Sequence, residues 1–249
     1  MSGHSKWSTI KHKKAATDAK RGKLFTRIAK EITVAAREGG GDPTTNVRLR
    51  LVVDKARAAN MPKDNIDRAI KRGTGELEGG QLEEVVYEGY APHGIGVLIE
   101  VVTDNRNRAV AEVRHAFSMQ GGSMAEAGAV SWQFTRKGFI SVTGEFDKDE
   151  VFLTAADAGA DDVVFVDSIA EVYTDLEHLQ DVRSALTDAG FELDEVSVIY
   201  DPNNQIGLET QQTLQVMKLV ENLEDLDDVQ NVFTALEISD AAMTALQEA

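Results

Sequence analysis

Apolar residues recur every three to four positions through much of residues 24–73, which is the period of an amphipathic α-helix. The inward positions of the first helix share this spacing: Leu24, Ile28, Ile32, Ala35 and Ala36. That helix ends at the glycines 39–41, and Asn46 is a suitable N-cap for a second helix. Pro62 opens a third helix, for which Gly73 is the expected C′ residue. Three short helices with short connections predict a small helical bundle.

Beyond a glycine-bounded linker at 73–80, short apolar runs alternate with helical stretches. The predicted strands are 85–90, 96–102, 130–134, 139–142, 163–166, 170–174, 195–200 and 229–236. The predicted helices are 108–119, 147–158, 175–190 and 210–223, with Asp147 and Asp175 as the caps of the middle two. From 139 to 200 the order is βαββαβ, which is the ferredoxin-like pattern.

The pieces that flank this pattern, β-α-β before it and α-β after it, predict a second unit that is interrupted by the first. The fold class is therefore α+β: an N-terminal three-helix bundle with a basic tail, followed by two ferredoxin-like domains, one inserted in the other. The expected domains are residues 1–75, residues 80–135 together with 206–240, and the insert 136–205.

The composition of the 249 residues is that of a globular protein, with 42% hydrophobic residues and no cysteine. The absence of cysteine excludes disulfides, thiol nucleophiles and Cys-ligated zinc. The start of the chain lacks the apolar core of a secretory signal, and the apolar run 97–102 is far too short to span a bilayer. We therefore expect a soluble, cytoplasmic protein, with a mitochondrial presequence in the basic first 30 residues as the one alternative.

Charge is strongly segregated along the chain. The formal net charge is −16, but residues 1–75 hold 18 Lys and Arg against 7 Asp and Glu, whereas residues 76–249 hold 8 against 35. The first region thus carries +11 and the remainder −27. Such asymmetry indicates that one end of the chain binds polyanions while the rest repels them.

The first 23 residues are the principal candidate for nucleic-acid binding. They carry seven cationic side chains: Lys6, Lys11, Lys13, Lys14, Lys20, Arg21 and Lys23. Their apolar periodicity is poor, so the segment is expected to be flexible when free. Trp7 lies among these lysines, where its indole would stack on an unpaired base or, alternatively, dock on the bundle. Arg106 and Arg108, just before a predicted helix, would reach phosphate or pair with nearby acids of the body.

Other motifs do not support catalysis or metal binding. The glycine-rich segment 89–96 lacks the Gly-Lys-Ser/Thr of a phosphate-binding loop and joins two strands. His93, His115 and His178 have no metal-ligand spacing, and the acidic clusters are interpreted as solvated faces. We therefore predict a non-enzymatic protein without metal, cofactor, small-molecule substrate or membrane partner.

Several motifs together resemble the YebC/PmpR family. They are Gly3-His4-Ser5-Lys6-Trp7 and the segments 13–23, 39–43, 60–63, 87–90, 103–108 and 227–230. The resemblance covers almost the whole chain, with Val47 as a departure where the family usually has proline. It implies three domains, with the third inserted in the second, and two descriptions of function. Many members are described as DNA-binding transcriptional regulators. Others, including the mitochondrial translational activator of cytochrome c oxidase, resemble ribosome-associated factors that help translation through proline runs.

The residues themselves favour RNA over DNA. A Lys-rich tail with one aromatic residue resembles the extensions that thread through folded rRNA. A protein that reads DNA sequence is expected to show a recognition helix rich in arginine and asparagine, and the connection 60–63 gives no clear sign of one. The favoured partner is therefore rRNA on the ribosome, with DNA as the alternative and a protein-binding acidic scaffold as a third class.

Overall fold

The structure is a computed structural model that describes residues 18–78, 80–166 and 168–248, with side chains for 21–78, 80–166 and 168–246. Within these ranges the chain forms two compact units. One unit joins residues up to Gln133 with those from Pro202 onwards, and the other comprises Phe134–Asp201. The protein is α+β, with an N-terminal helical region and two antiparallel four-stranded sheets. The division into three domains at the predicted boundaries stays a prediction.

Three helices form the N-terminal region: α1 (Asp18–Gly39), α2 (Val47–Ala58) and α3 (Lys63–Gly73). Four of the five predicted inward residues of α1, all but Leu24, join one core cluster with residues of α2 and α3. The prediction is wrong for Leu24, which is exposed. The expectation of a flexible segment through residue 23 is wrong for residues 18–23, which are helical. The reason is tertiary, because side chains near the start of α1 contact a distant loop, and apolar periodicity contains no information about that contact.

The turn between α1 and α2 depends on Asn46. Its side chain accepts a hydrogen bond from the Leu49 amide at 3.0 Å, which confirms the predicted N-cap. The same amide group donates to the Ala35 and Gly40 carbonyls, both at 2.8 Å, and so joins the end of one helix to the start of the next. A β-carbon on Gly39 would lie 2.6 Å from the Asn46 side chain, so a larger residue there would displace the side chain that caps α2.

The predicted role of Gly73 is wrong. Gly73 lies inside α3, and a β-carbon there would be 2.4 Å from the Thr33 carbonyl oxygen of α1. The left-handed residue after the helix is Gly75, with φ +81, and the Glu76 amide closes the end by donating to the Lys71 carbonyl at 2.9 Å. Gly73 is therefore required by close helix packing, which a count of positions along one helix does not reveal.

The remaining elements follow in chain order. They are β1 (Glu83–Tyr90), β2 (Gly96–Thr103), α4 (Arg106–Met119), β3 (Ser123–Ala125), β4 (Phe134–Thr143), α5 (Lys148–Asp157), β5 (Ala160–Val166), β6 (Ile169–Thr174), α6 (Leu179–Asp188), β7 (Glu192–Pro202), β8 (Ile206–Gly207), α7 (Thr210–Glu224), β9 (Val229–Thr234), β10 (Leu236–Glu237) and α8 (Asp240–Glu248). The short strands β3 and β8 and the helix α8 were not predicted.

The larger sheet has the order β3-β1-β2-β9, and every neighbouring pair in it is antiparallel. One face packs against α4, α7 and α8 through a core that includes Ile99, Phe117 and Leu219. Strand β1 lies between β2 and β3, which α4 connects, so the unit contains a split βαβ arrangement. The insert enters between β3 and α7.

The smaller sheet has the order β5-β6-β4-β7, which confirms the ferredoxin-like arrangement expected from its βαββαβ sequence. Asp147 caps α5 through bonds from the Asp149 and Glu150 amides, as predicted. The expected cap at Asp175 is wrong: α6 begins at Leu179 after His178, because a turn closed by the His178 amide to the Asp175 carbonyl precedes it.

The strand predicted at 130–134 is also wrong, because Ser131–Gln133 forms a 3₁₀ turn instead. The buried carboxylate of Glu88 accepts hydrogen bonds from the amides of Gly128 at 2.7 Å, Val130 at 2.6 Å and Ser131 at 2.9 Å. Burial raises the pKa of Glu88, but these three donors outweigh it and hold the pKa below its ordinary value of 4.5. The two amides at 130 and 131 therefore donate to this carboxylate and not to a strand.

Candidate nucleic-acid interface

The structure describes only part of the predicted binding residues. Five lie outside the described residues: Lys6, Trp7, Lys11, Lys13 and Lys14. Lys20 belongs to α1, but its side chain is not among those described, and Arg21 is exposed one position further along the helix. The role of all these residues in binding nucleic acid stays a prediction.

Three cations of α1 lie on one side of the helix, because Lys23, Arg27 and Lys30 are separated by four and then three positions. This side faces the C-terminal end of α7 and the loop after it. Lys23 Nζ donates to the Asp225 carbonyl at 2.9 Å, and the Arg27 guanidinium donates to the Glu224 carbonyl and, at 3.4 Å, to that of Leu226. The last carbonyls of a helix lack intrahelical donors and carry its negative dipole end, so they are natural partners for cations.

Asp228 is the centre of the contact between α1 and the larger sheet. Its carboxylate accepts hydrogen bonds from Lys30 Nζ at 2.5 Å, from Arg108 at 2.7 Å and from the Thr103 hydroxyl at 2.8 Å. The Asp228 side chain is only 5% exposed. Burial raises the pKa of Asp228, but the hydrogen bonds from Lys30, Arg108 and Thr103 outweigh that effect and lower the pKa from its ordinary value of 3.8.

The two arginines of the second predicted cluster differ. Arg108 contacts Asp228 and also Asp104 at 2.9 Å, and these hydrogen bonds, that from Asp228 first, raise the pKa of the guanidinium. Of the two roles that the sequence left open for Arg108, phosphate binding or pairing with nearby acids, the structure shows the pairing with acids. Arg106 is exposed and makes no ion pair with any side chain that the structure describes. The local cap was visible in the sequence, since the Asn105 side chain accepts from the Arg108 amide.

Sequence reasoning missed the cations of α3. Four exposed basic side chains make no ion pair within the described ranges: Lys63, Arg68, Lys71 and Arg72. In contrast, Lys55 and Arg57 of α2 pair with Glu31 and Asp54. The signal was present, because Arg68 and Arg72 are one helical turn apart and lie away from the buried residues of α3.

Two depressions that share lining residues lie beside α1, and the second of them also reaches Arg68 and Arg72 of α3. One has a volume of about 640 Å³ and is lined by both basic and acidic side chains, including Lys23, Lys30, Arg108 and Asp227. The other has a volume of about 530 Å³ and lies between α1, α3 and the segment that leads into β1. Among the residues described, no group of histidine and carboxylate side chains is arranged to hold a metal ion, and none of the helices is long and apolar enough to cross a membrane.

Comparison with known proteins extends over nearly the whole chain. The family model described as the TACO1/YebC protein N-terminal domain matches residues 5–76, and that described as the TACO1/YebC second and third domain matches residues 82–236. A probable transcriptional regulatory protein of Trichlorobacter lovleyi is 55% identical over 239 residues, which cover 96% of this chain and 97% of the relative. Another, of Geobacter sulfurreducens, is 54% identical over 246 residues, which cover 99% of this chain and 100% of the relative.

Among solved structures, a conserved hypothetical protein of Aquifex aeolicus is similar with a TM-score of 0.83 at 45% sequence identity. The match covers 90% of this chain and 93% of that one. Family models over both parts of the sequence, together with relatives more than half identical along almost its full length, establish that the chain belongs to the TACO1/YebC family, as its motifs indicated.

Proposed function

We propose that the protein is a non-enzymatic regulator of gene expression that binds nucleic acid through its basic N-terminal region. The observation that carries this proposal is the segregation of charge, +11 in residues 1–75 against −27 in the remainder. Cations near phosphates release condensed counterions, and this release drives binding at low salt. The acidic remainder opposes unspecific coating of nucleic acid, since repulsion is one way to achieve specificity.

Transcriptional regulation through DNA is the first candidate. The curated relatives from Trichlorobacter lovleyi and Geobacter sulfurreducens carry the name probable transcriptional regulatory protein. Carried over to this chain, that name supports DNA as the partner and reverses the preference for RNA that the basic tail suggested.

A ribosome-associated translation factor that eases proline-rich stretches is the second candidate. It is supported by the composition of the first 23 residues, where seven lysines and arginines accompany Trp7. Lysines suit the irregular phosphate surface of folded rRNA, and an indole suits an unpaired base. In this candidate the protein would position rRNA or a bound substrate, and peptide-bond formation would remain the ribosome's reaction.

Two measurements on the full-length chain separate the candidates. The first is footprinting of the purified protein on promoter DNA without ribosomes, and the second is sedimentation of cell lysate through a sucrose gradient. A sequence-specific footprint with migration at the top of the gradient is the result expected for the first candidate. Co-migration with ribosomal particles without a footprint would replace it with the second. A chain that binds neither DNA nor RNA at low ionic strength would contradict both.

A further inference from the structure

Two arginines on α3 have an arrangement that suits a chain of phosphates. Arg68 and Arg72 are one turn apart, both exposed, and neither makes an ion pair with a described side chain. A guanidinium presents a planar fork of N–H donors that matches phosphate oxygens, and it keeps its charge at any physiological pH. A charged helix face is often only solvated, so further evidence is needed to separate a site from a surface.

The first such evidence is the rigid position of α3. Because Gly73 has no side chain, the backbones of α1 and α3 approach closely at Thr33. The Thr33 hydroxyl, which lies 2.8 Å from the Ala29 carbonyl of its own helix, is also within hydrogen-bond distance of the Ala69 carbonyl of α3, at 3.1 Å. Ala69 lies directly after Arg68 in the chain, so the arginines stand on a backbone that is held against α1. Donors on a fixed backbone lose less conformational freedom on binding.

The second is the groove of about 530 Å³ that Arg68 and Arg72 line. Its lining combines apolar, polar and cationic side chains, which suits a ligand with apolar and anionic parts. The apolar and polar members include Phe25, Ala29, Met61, Thr26, Thr33 and Asn65. A nucleic-acid strand has this character, since its sugars and bases offer apolar surface between charged phosphates.

The third is the state of the other charges in the groove. Lys30 is held by Asp228, and the carboxylate of Asp104 is held by Arg108, so these pairs are already compensated. Glu78 makes no ion pair with a described residue and is exposed at the groove's rim. The charges left for a ligand are therefore the two arginines, opposed by one carboxylate.

We propose that this groove binds the sugar-phosphate backbone of a nucleic acid, with Arg68 and Arg72 as the phosphate donors. The inference rests on the proposed function and adds a second contact beyond the basic tail. Because the donors meet phosphates rather than base edges, the groove sets the position of the strand and contributes to affinity without reading sequence.

The test compares the full-length wild type with the double variant Arg68→Gln, Arg72→Gln. Binding to a short duplex DNA and to a short single-stranded RNA is measured by fluorescence anisotropy over a range of salt concentrations. Each lost phosphate contact should flatten the slope of log affinity against log salt by about 0.9 for duplex DNA and about 0.7 for a single strand, roughly twice that for the pair. The nucleic acid whose slope flattens by the full amount expected for its own kind is the one that occupies the groove.

The matched control is Lys55→Gln, Arg57→Gln, which removes the same charge from α2, where both cations are ion-paired. Its slope should equal that of the wild type. A variant Glu78→Gln should bind more tightly, because it removes the carboxylate that opposes the arginines. Equal flattening in both double variants, or no flattening in the first, would overturn the inference while the wild type still binds. A wild-type protein that binds neither probe would instead refute the proposed function.

Discussion

The ammonium group of Lys30 lies 2.5 Å from the carboxylate of Asp228, although 198 positions of sequence separate the two residues. Lys30 is on α1, and Asp228 directly precedes β9 of the larger sheet. Arg108 and Thr103 complete the set of donors around the same carboxylate. One carboxylate thus joins the helical region to two other elements of its compact unit.

This contact has a consequence for the candidate interface. Lys23, Arg27 and Lys30 are basic residues of α1, yet each donates to the end of α7 or the loop after it. Several donors of these cations are directed at internal acceptors, so the side chains are less free to move toward a phosphate than those without such bonds. Phosphate binding by the described residues is therefore expected at cations without internal partners, which favours α3 over this side of α1.

Asp228→Asn tests how much the carboxylate stabilises the fold. The substitution keeps the shape but removes the charge that Lys30 and Arg108 share, so the free energy of unfolding at neutral pH should fall by about 1–3 kcal/mol. Because the pKa of Asp228 is lowered in the folded state, its contribution is present above the ordinary value of 3.8 and is lost as the pH falls through the lower, folded value. Urea denaturation between pH 7 and pH 3 should show the two proteins converging in acid.

The control for this prediction is Glu112→Gln. Glu112 lines the same depression as Asp228 but makes no ion pair with a described side chain. The Glu112→Gln substitution removes one negative charge at nearly the same place, and the stability of this variant should stay close to that of the wild type at every pH. An Asp228→Asn protein as stable as the control at pH 7 would show that the network contributes nothing net, which is a known outcome for buried ion pairs.

A pair of glycine substitutions tests the contact between α1 and α3. Gly73→Ala would place a β-carbon 2.4 Å from the Thr33 carbonyl, so the helices must separate and the protein should lose about 1–3 kcal/mol of stability. Gly22→Ala, within α1, meets nothing within 4 Å and should stabilise the helix by about 0.5–1 kcal/mol. Thermal unfolding of both variants measures the difference. A Gly73→Ala protein that unfolds at or above the wild-type temperature would contradict the packing described for Gly73.

The loop that Glu88 holds gives a third prediction. Glu88→Gln places an NH₂ donor against backbone N–H groups, so it should cost about 1–3 kcal/mol and loosen the loop that carries Trp132. Trp132 is 70% exposed, and its indole N–H donates to the Ala129 carbonyl at 3.0 Å. The chain has two tryptophans, so in a Trp7→Phe background the tryptophan fluorescence comes from Trp132 and reports on this loop. Glu83→Gln, at the exposed start of the same strand, is the control and should leave both the emission and the stability unchanged.

Sequence patterns predicted correctly those elements that depend on contacts between residues close together in the chain. The caps at Asn46 and Asp147 were recognised because each side chain bonds an amide two or three positions along the chain. The ferredoxin-like insert was recognised because its strands and helices alternate in an ordinary order. The strand expected at 130–134 failed because Glu88, some forty positions away, captures the amides that a strand would need.

The candidate site divides in the same way. The sequence by itself determined that the basic residues gather in the first 75 positions, because charge is a property of composition and needs no fold. The tertiary structure decided which of those side chains already have internal partners: Lys23, Arg27 and Lys30 donate to the 224–228 segment, whereas Arg68 and Arg72 line a groove. These contacts depend on distances between residues remote in sequence, and only the folded chain brings them together.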